Sequence, residues 1–408
     1  MTLERNSKEI YLLIDFNASR RYSHHWTYLN SYRILLEQAN KNYEIWIPKN
    51  ADDEILSFSG SSIRKYLRSN AYGYERRQNF FYWFANNIFN FILRLFEKYL
   101  NSYSKEKFRK IVSWFYLYNS YKRVRNLYIK KFTIHLVFTT ADSLALRLIE
   151  ICLRRNILLE QVVIRTMGVN FKDNLAINDP NLFYRKLIQD YPECKIVLGF
   201  ETIPYKMELI NFGIDLNRIF WSPVPSIRRK LNSARVNQHF TIGFLGTARP
   251  NKGFEAIPLL VKHLIAENLQ FKAVIQEAIY PWPNYFKALN ELKSVPEYVE
   301  ILPANISTSE LENLMMNIDT VILPYNVYDY KIAGSGLLFA ASDFNVPVIA
   351  TKGVAFEWDI NQYSLGYTYA NINEFLDSIK KVKDKLGTYD FHQYNFARNK
   401  AIKTFLGI

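Results

Sequence analysis

Short apolar runs alternate with longer amphipathic segments along most of the chain. The apolar runs predict strands, and segments in which apolar residues recur every three or four positions predict helices. In the first half, strands are expected at residues 10–16, 43–48, 134–138, 161–165, 195–200 and 218–221, and helices at 26–38, 143–155, 181–190 and 205–211. This alternation is typical of a parallel sheet covered by helices on both faces.

A second series of strands and helices begins at Phe240 and runs to about Lys385. Its apolar runs predict strands at 240–245, 320–323 and 346–350, and Ser307-Thr308-Ser309-Glu310 predicts a capped helix start. A polar, proline-containing stretch without periodicity separates the two series. We therefore expect a domain at 1–222, a linker at 223–239, a second domain at 240–385 and a C-terminal helix within 386–408.

A strongly basic and aromatic segment interrupts the first series between residues 60 and 132. Residues 64–131 contain 16 lysines and arginines but three acidic residues, so they account for +13 of the formal net charge of +14. They also hold 20 of the 65 phenylalanine, tyrosine and tryptophan residues. Amphipathic patterns at 80–100 and 105–118 predict helices with a bulky apolar face edged by Lys and Arg, without a continuous apolar stretch long enough to span a bilayer.

Three interpretations of this segment stay open. Helices of this type lie in a membrane interface, so the favoured one is a helical insertion in the first domain that docks on an anionic membrane surface through residues 64–131. The second is packing of these helices on the protein's own core, with a solvated basic face. Nucleic-acid binding is the third, and we expect no nucleic-acid partner because the segment lacks the pattern of a nucleic-acid module.

Two glycine-containing loops carry the chemistry of the second series. In the first, an apolar run stops at Gly246, and Arg249 and Lys252 follow before a helical pattern. In the second, an apolar helix follows Gly334, Ser335 and Gly336. Backbone N–H groups at such helix starts, together with the helix dipole, bind anions. Two sites of this kind, about 80–90 residues apart, suggest a nucleotide diphosphate gripped from both loops.

The two loops lie in sequence blocks that resemble the donor-binding domain of GT-B glycosyltransferases, GFLGTARPNKGFEAI and ILPYNVYDYKIAGSGLLFAASDFNVPVIATKG. The resemblance is strongest to the retaining group called family 4, covers residues 240–360, and is only architectural over 1–60 and 133–222. It implies an α/β protein of two Rossmann-like doubly wound domains. The first would bind an acceptor and the second a UDP- or GDP-linked sugar, and a last helix at 391–405 would cross back to the first domain.

The resemblance also assigns roles to individual residues. Arg249 and Lys252 match the positions that hold the diphosphate in this family, where they stabilise the negative charge that grows as the glycosyl–phosphate bond breaks. Small residues, at Gly246 and at 334–336, let backbone N–H groups approach phosphate oxygens. Lys331, Tyr325 and Tyr330 are candidates to contact sugar or phosphate. The plainer alternatives are surface cations, tight turns and packed tyrosines.

The chain departs from the commonest family pattern, in which two glutamates are separated by seven residues. The matching positions are Ile332 and Ala340, so both carboxylates are missing. Some relatives have a tyrosine-rich, Gly-Ser-Gly form of this block, and the chain resembles them. The missing carboxylates affect how hydroxyl groups of the donor sugar could be bound. They also leave open the alternative that the protein has no catalytic activity.

The first loop, residues 17–25, is expected at the carboxyl ends of the strands, where open α/β sheets bind ligands. Its polar residues include Arg20, Arg21, Ser23, His24 and His25. His25 is a candidate to orient or deprotonate an acceptor hydroxyl, against the alternative that it only satisfies the loop. Glu201 follows the strand predicted at 195–200 and is a weaker candidate.

Composition narrows the chemistry further. The six histidines are scattered and there is no Asp-x-Asp motif, so no metal site is apparent and we expect metal independence, with a nucleotide sugar as substrate and no cofactor. Cys152 and Cys194 lie in apolar patterns, which favours a reducing compartment. The N-terminus has no signal-peptide pattern. The expected location is cytoplasmic, peripheral at the inner face of the cell membrane.

Together these features predict a metal-independent hexosyltransferase of cell-envelope polysaccharide biosynthesis. It would move a sugar from a nucleotide-sugar donor to a lipid-linked or cell-envelope glycan or glycolipid. Retention of configuration follows from the resemblance alone, and in that mechanism the departing diphosphate helps to take the acceptor proton. Two alternatives stay open: a GT-B sugar-nucleotide epimerase, disfavoured by the missing glutamates, and a non-catalytic membrane-associated adaptor.

Overall fold

The structure is a computed structural model, and its described residues are 8–16, 18, 24–48, 51, 63–67, 117–140, 142–166, 179–226 and 239–408. The chain divides into two compact units, one formed by residues 1–165 with 170–197 and the other by 166–169 with 198–408. The domain bounds expected from the sequence, 1–222 and 240–385, stay a prediction.

A parallel sheet is built from the strands of the first half. These are β1 (Lys8–Ile14), β2 (Tyr43–Pro48), β3 (Ile63–Leu67), β4 (Phe132–Phe138), β5 (Gln161–Arg165), β6 (Lys195–Phe200) and β7 (Ile219–Trp221). Their order in the sheet is β3-β2-β1-β4-β5-β6-β7. Strands β2, β4 and β5 are buried along most of their length, as expected where helices cover both faces of a parallel sheet.

The described helices of the first half are α1 (His24–Gln38), α2 (117–129), α3 (Ser143–Arg154), α4 (Pro180–Asp190) and α5 (Ile203–Asn211). Two of them begin at aspartate caps. The Asp142 carboxylate accepts the N–H of Ala145 over 2.8 Å, and Asp179 accepts the N–H groups of Asn181 and Leu182. Each cap satisfies first-turn N–H groups that have no partner inside the helix.

A second parallel sheet is built from β8 (Phe240–Phe244), β9 (Phe271–Gln276), β10 (Val299–Leu302), β11 (Thr320–Leu323), β12 (Val348–Thr351) and β13 (Gly366–Tyr369). Its strand order is β10-β9-β8-β11-β12-β13. The chain runs outward from β8 to β10 and then returns to place β11 on the other side of β8. Ligands of open α/β sheets bind at such a switch point, outside the carboxyl ends of the strands.

The helices of the second half are α6 (Ile257–Ala266), α7 (Tyr285–Lys293), α8 (Thr308–Asn317), α9 (Gly336–Asp343), α10 (Glu357–Gln362), α11 (Ile372–Asp384) and α12 (His392–Leu406). The capped start predicted for α8 is confirmed. The Ser307 hydroxyl accepts the N–H of Glu310, and the Glu310 carboxylate accepts the N–H of Ser307. The two bonds form a reciprocal capping box.

A fully buried arginine ties α12 to α9. The Nη1 atom of Arg398 donates to Oγ of Ser342 over 2.7 Å and to Oδ1 of Asp343 over 2.8 Å. Its Nε donates to the carbonyl oxygen of Val224 over 2.7 Å, and its guanidinium lies 4.9 Å from the centre of the Phe339 ring. The last helix therefore fixes the position of α9.

The predicted α/β fold class with two parallel sheets is confirmed, with three local corrections. Residues 63–67, expected within a helical insertion, form β3, because Ile63 pairs with Ile45 and ladder hydrogen bonds outweigh the local pattern. The helix expected after Gly253 begins later, at Ile257, after two 3-10 turns; Pro258 favours its first turn. The strand expected at 346–350 lies at Val348–Thr351.

Some predictions fall outside the described residues. They concern the helix at 80–100, all but the last two residues of the helix at 105–118, the linker residues 227–238, and Arg20, Arg21 and Ser23. No helix in the described part of the chain is long and apolar enough to cross a membrane.

Gly366 generates a prediction for stability. Its φ is 147°, and a Cβ placed on it would lie 1.9 Å from the carbonyl oxygen of Val348. We expect Gly366→Ala to lower the free energy of unfolding by roughly 2–4 kcal/mol, measured by urea denaturation, because the backbone of β12 must move. The matched control is Gly387→Ala, where φ is also positive but nothing lies within 4 Å, with an expected loss of about 1 kcal/mol. Equal losses would contradict the steric argument.

Candidate functional site

The basic loop after β8 is held against the loop after β11. Its turn Pro250–Lys252 ends at Gly253, where φ is 70°. A Cβ on Gly253 would lie 1.7 Å from the carbonyl oxygen of Pro324, so only glycine fits. The N–H of Asn326 donates to the carbonyl oxygen of Asn251 over 2.9 Å. The backbone that carries both basic side chains is therefore fixed in one arrangement.

The side chain of Lys252 reaches from this loop to the start of α9. A Cβ placed on Gly246 would lie 2.9 Å from both Nζ of Lys252 and Cδ1 of Leu337, so the ammonium group lies over Gly246 beside the first turn of α9. Burial, followed by repulsion from Arg249, lowers the pKa of Lys252 to about 8. Two like charges held this close cost free energy that an anionic ligand would offset.

Two tyrosines of the second loop lie next to Arg249. The ring centres of Tyr325 and Tyr330 are 4.3 Å apart. Burial, followed by the neighbouring Tyr330, raises the pKa of Tyr325, whereas a hydrogen bond with the Ser335 side chain and the charge of Arg249 oppose this rise. Burial also raises the pKa of Tyr330, again opposed by Arg249. The guanidinium is therefore close to both phenol groups.

The start of α9 combines a buried cap with open space. The hydroxyl oxygen of Ser335 accepts the N–H of Leu338 over 3.4 Å, and Ser335 is 2% exposed. Nothing lies within 4 Å of a Cβ placed on Gly336, the first helical residue. N–H groups of a first turn bind anions where a ligand has room to approach them.

The second unit therefore brings together five of the sequence-predicted residues, Gly246, Arg249, Lys252, Tyr325 and Ser335. The other predicted residues of the second loop have different surroundings. Lys331 is exposed, and Gly334 packs against the side chain of Glu201. The roles expected of all these residues, and of His25, stay predictions.

His25 lies in the first unit, at the start of α1, and its ring is held by two neighbours. Its Nδ1 is 3.3 Å from Oδ2 of Asp15 and 3.1 Å from Oγ1 of Thr140. The hydroxyl of Thr139 donates to the same Asp15 oxygen over 2.8 Å, and both Asp15 and Thr139 are fully buried. A carboxylate that accepts from Nδ1–H selects the tautomer in which Nε2 carries the lone pair.

Sequence reasoning paired neither Asp15 with His25 nor Glu201 with Gly334. Asp15 was included in an apolar run predicted as a strand, although a carboxylate inside such a run needs a polar partner when buried. That signal predicts a polar partner for Asp15, and the polar loop at 17–25 offers several. Glu201 had only its place after β6 as a signal, because its contact with Gly334 joins positions far apart in sequence.

No protein-family model matches the chain, and no curated protein matches it. Solved structures match along nearly its full length. Sucrose-phosphate synthase from Thermosynechococcus elongatus is 12% identical, with a TM-score of 0.59 and coverage of 98% of this chain and 96% of that chain. Anabaena HepE in complex with UDP-glucose is 11% identical, with a TM-score of 0.57 and coverage of 97% and 99%. The lipopolysaccharide outer core galactosyltransferase WaaB, in its apo form, is 10% identical, with a TM-score of 0.54 and coverage of 97% and 99%.

The chain has the GT-B fold. Identities this low establish the fold alone, so the chemistry of this GT-B protein must be argued from its own residues. In the described ranges, no three His, Cys, Asp or Glu side chains are grouped so as to hold a metal ion. The expected metal independence stays a prediction.

The lowered pKa of Lys252 predicts pH-dependent binding of a diphosphate such as UDP. Lys252 is charged below about pH 8 and neutral above it, and the diphosphate favours the charged form. We therefore expect UDP binding to take up protons near pH 8 and to weaken as the pH rises above 8, measured by titration calorimetry in two buffers of different ionisation enthalpy.

The control for this experiment is Lys252→Arg, whose guanidinium stays charged over the same range. It should bind UDP without proton uptake. Wild-type affinity that stays constant from about pH 7 to pH 9.5 would contradict the assignment, since an aqueous lysine titrates near pH 10.4.

Proposed function

We propose that this GT-B protein is a glycosyltransferase that moves a hexosyl group from a UDP- or GDP-linked donor. The observation that carries the proposal is the meeting of Lys252 and Arg249 with the capped start of α9. Two cations and a set of first-turn N–H groups match the charge and the oxygens of a diphosphate. HepE was solved with UDP-glucose and with UDP, which supports a nucleotide-sugar ligand here.

The same residues suit the reaction as well as the binding. When the bond between sugar and diphosphate breaks, negative charge grows on the departing phosphate oxygen. Fixed cations at Arg249 and Lys252 stabilise that growing charge more than they stabilise the intact donor, which lowers the barrier. These charges would do the work that a divalent ion does elsewhere, so the proposed reaction is metal-independent. We also propose retention, with the departing diphosphate taking part in removal of the acceptor proton.

His25 is proposed to position the acceptor. Its ring is held by Asp15 and Thr140 at the carboxyl ends of β1 and β4, which is where an α/β sheet binds ligands. An imidazole fixed in this way orients an acceptor hydroxyl or takes a proton from it through Nε2. Asp15 would then act through His25 and not on the acceptor itself.

The acceptor is proposed to be a lipid-linked or cell-envelope glycan, reached from the inner face of the cell membrane. Support comes from α2, which ends the basic aromatic segment. Its buried stripe contains Leu117, Tyr121, Val124 and Leu127. Its outer side exposes Tyr118, Tyr128 and Ile129 by 39–59%, and the Lys122 ammonium lies 4.7 Å from the centre of the Tyr118 ring. Aromatic rings with nearby cations favour an anionic lipid surface.

The donor site is tested with Arg249→Ala/Lys252→Ala. Thermal shifts are measured with a panel of UDP-, GDP-, ADP- and dTDP-sugars, with and without magnesium, and turnover is followed as release of nucleoside diphosphate. We expect one nucleotide to raise the melting temperature of the wild type independently of magnesium, and the double variant to lose at least about tenfold in affinity because two charge-assisted contacts disappear.

The matched control is Lys262→Ala/Lys287→Ala, which removes two exposed lysines from the same unit and should bind like the wild type. Unchanged affinity in the double variant at 249 and 252 would remove these residues from the site. Absence of a shift with every sugar would overturn the donor site. Binding without turnover on any acceptor would favour the non-catalytic adaptor.

The membrane surface is tested with Tyr118→Ser/Tyr128→Ser. Sedimentation with vesicles that contain about 30% phosphatidylglycerol should show roughly tenfold weaker binding, because two interfacial rings are lost. The control is Tyr280→Ser/Phe286→Ser, which changes two aromatic residues exposed by 84% and 57% in the other unit. Equal binding by wild type and both variants would contradict docking through this helix.

A further inference from the structure

Gly334 is a glycine at a position where the backbone conformation does not demand one, since it is not among the glycines with positive φ. A Cβ placed on it would lie 2.6 Å from Oε2, 3.1 Å from Cδ and 3.2 Å from Cβ of Glu201. The glutamate side chain therefore occupies the space that a larger residue at 334 would need. Its carboxylate lies directly against the loop that leads into α9.

Two hydrogen bonds hold the backbone of Glu201 in this place. The hydroxyl of the next residue, Thr202, donates to the carbonyl oxygen of Ile332 over 2.6 Å. The indole Nε1 of Trp221 donates to the carbonyl oxygen of Glu201 over 3.3 Å. Residues 201–202 are thus fastened to the stretch 332–334, one residue before the Ser335 cap. Glu201 itself is 9% exposed.

The surroundings of Glu201 contain further ionisable groups. Burial raises the pKa of Asp359 to about 7, the charge of Arg398 opposes this rise, and the negative charge of Glu201 adds to it. Tyr394 is also within electrostatic reach of Glu201 and Asp359. Arg398 therefore supplies positive charge to a region in which two carboxylates are close together.

We propose that the Glu201 carboxylate binds hydroxyl groups of the sugar that is transferred. This inference rests on the proposed function, in which Lys252, Arg249 and the start of α9 bind the diphosphate. Those groups are donors and cations, whereas the hydroxyl groups of a sugar also donate hydrogen bonds and so pair well with an acceptor. An ionised carboxylate is the strongest acceptor among side chains and can accept from two hydroxyls at once.

The position of the carboxylate fits this role. The sugar is bonded directly to the diphosphate, so its hydroxyls lie within a few ångströms of the groups that bind phosphate. Glu201 contacts the loop at Gly334, and the cap at Ser335 is the next residue. Neither Ile332, in this loop, nor Ala340, in α9, has a carboxylate that could accept from the sugar. Glu201 supplies that carboxylate from a different segment of the chain.

The test compares a nucleotide with its sugar derivative. Dissociation constants of UDP and UDP-glucose, or of GDP and GDP-mannose, are measured by titration calorimetry for the wild type and for Glu201→Gln, using the pair that binds more tightly. We expect the variant to bind the free nucleotide within about twofold of the wild type and to bind the nucleotide sugar about tenfold more weakly, as for loss of hydrogen bonds to a charged group.

Two further variants separate sugar contact from a structural role. Gly334→Ala places a methyl group where the carboxylate now lies, and it should show the same selective loss for the nucleotide sugar. Asp359→Asn removes the other carboxylate of the region without changing residue 334, and the ratio of the two dissociation constants should stay at its wild-type value.

The possible outcomes distinguish the role of Glu201 from the proposed function itself. An unchanged ratio of dissociation constants in Glu201→Gln would overturn the role of Glu201 while leaving the proposed function intact. Equal weakening of nucleotide and nucleotide sugar would also overturn it, since that result indicates a structural role. A wild type that binds neither ligand would overturn the proposed function, and this inference with it.

Discussion

The candidate site depends on the enforced proximity of two like charges. Lys252 and Arg249 repel each other, and burial further disfavours the charged form of Lys252. The fold keeps them together because Gly253 admits the carbonyl oxygen of Pro324 and because Asn326 bonds to Asn251. A flexible loop would relax by separating the cations. The backbone of this loop is fixed, so an anion bound here would offset the repulsion.

The other half of the site is fixed from the opposite end of the chain. α9 supplies the first-turn N–H groups, and it is bonded at its far end to Arg398 on α12. The same guanidinium bonds to Val224, so three distant segments meet at one buried cation. Such a residue is costly to replace, because its removal would leave Asp343 without its buried partner. A shift of α12 would move the start of α9 relative to Lys252.

Sequence patterns predicted strands and helices that depend on neighbouring residues, and they missed contacts between residues far apart in the sequence. The apolar runs placed β2, β5, β6 and β11 at the bounds observed, and the Ser307 box placed the start of α8. Periodicity does not encode pairing, so β3 was missed: its five residues become a strand only because β2 lies beside them. For the same reason, His25 was predicted as a candidate site residue without its contact to Thr140, which lies 115 positions away in sequence and bonds to the His25 ring.

If Glu201 binds the sugar as proposed, its contact with Gly334 would explain how a chain without the two-glutamate pattern holds a donor sugar. A sugar hydroxyl that donates a hydrogen bond needs an acceptor at one point in space, and the sequence position of that acceptor does not affect the bond. Here the Thr202 hydroxyl bonds to the carbonyl oxygen of Ile332, 130 positions away. This bond holds the neighbouring Glu201, whose carboxylate lies against the loop at Gly334. In the proposed site, the glycine at 334 would matter without touching the sugar, because any side chain there would displace the Glu201 carboxylate.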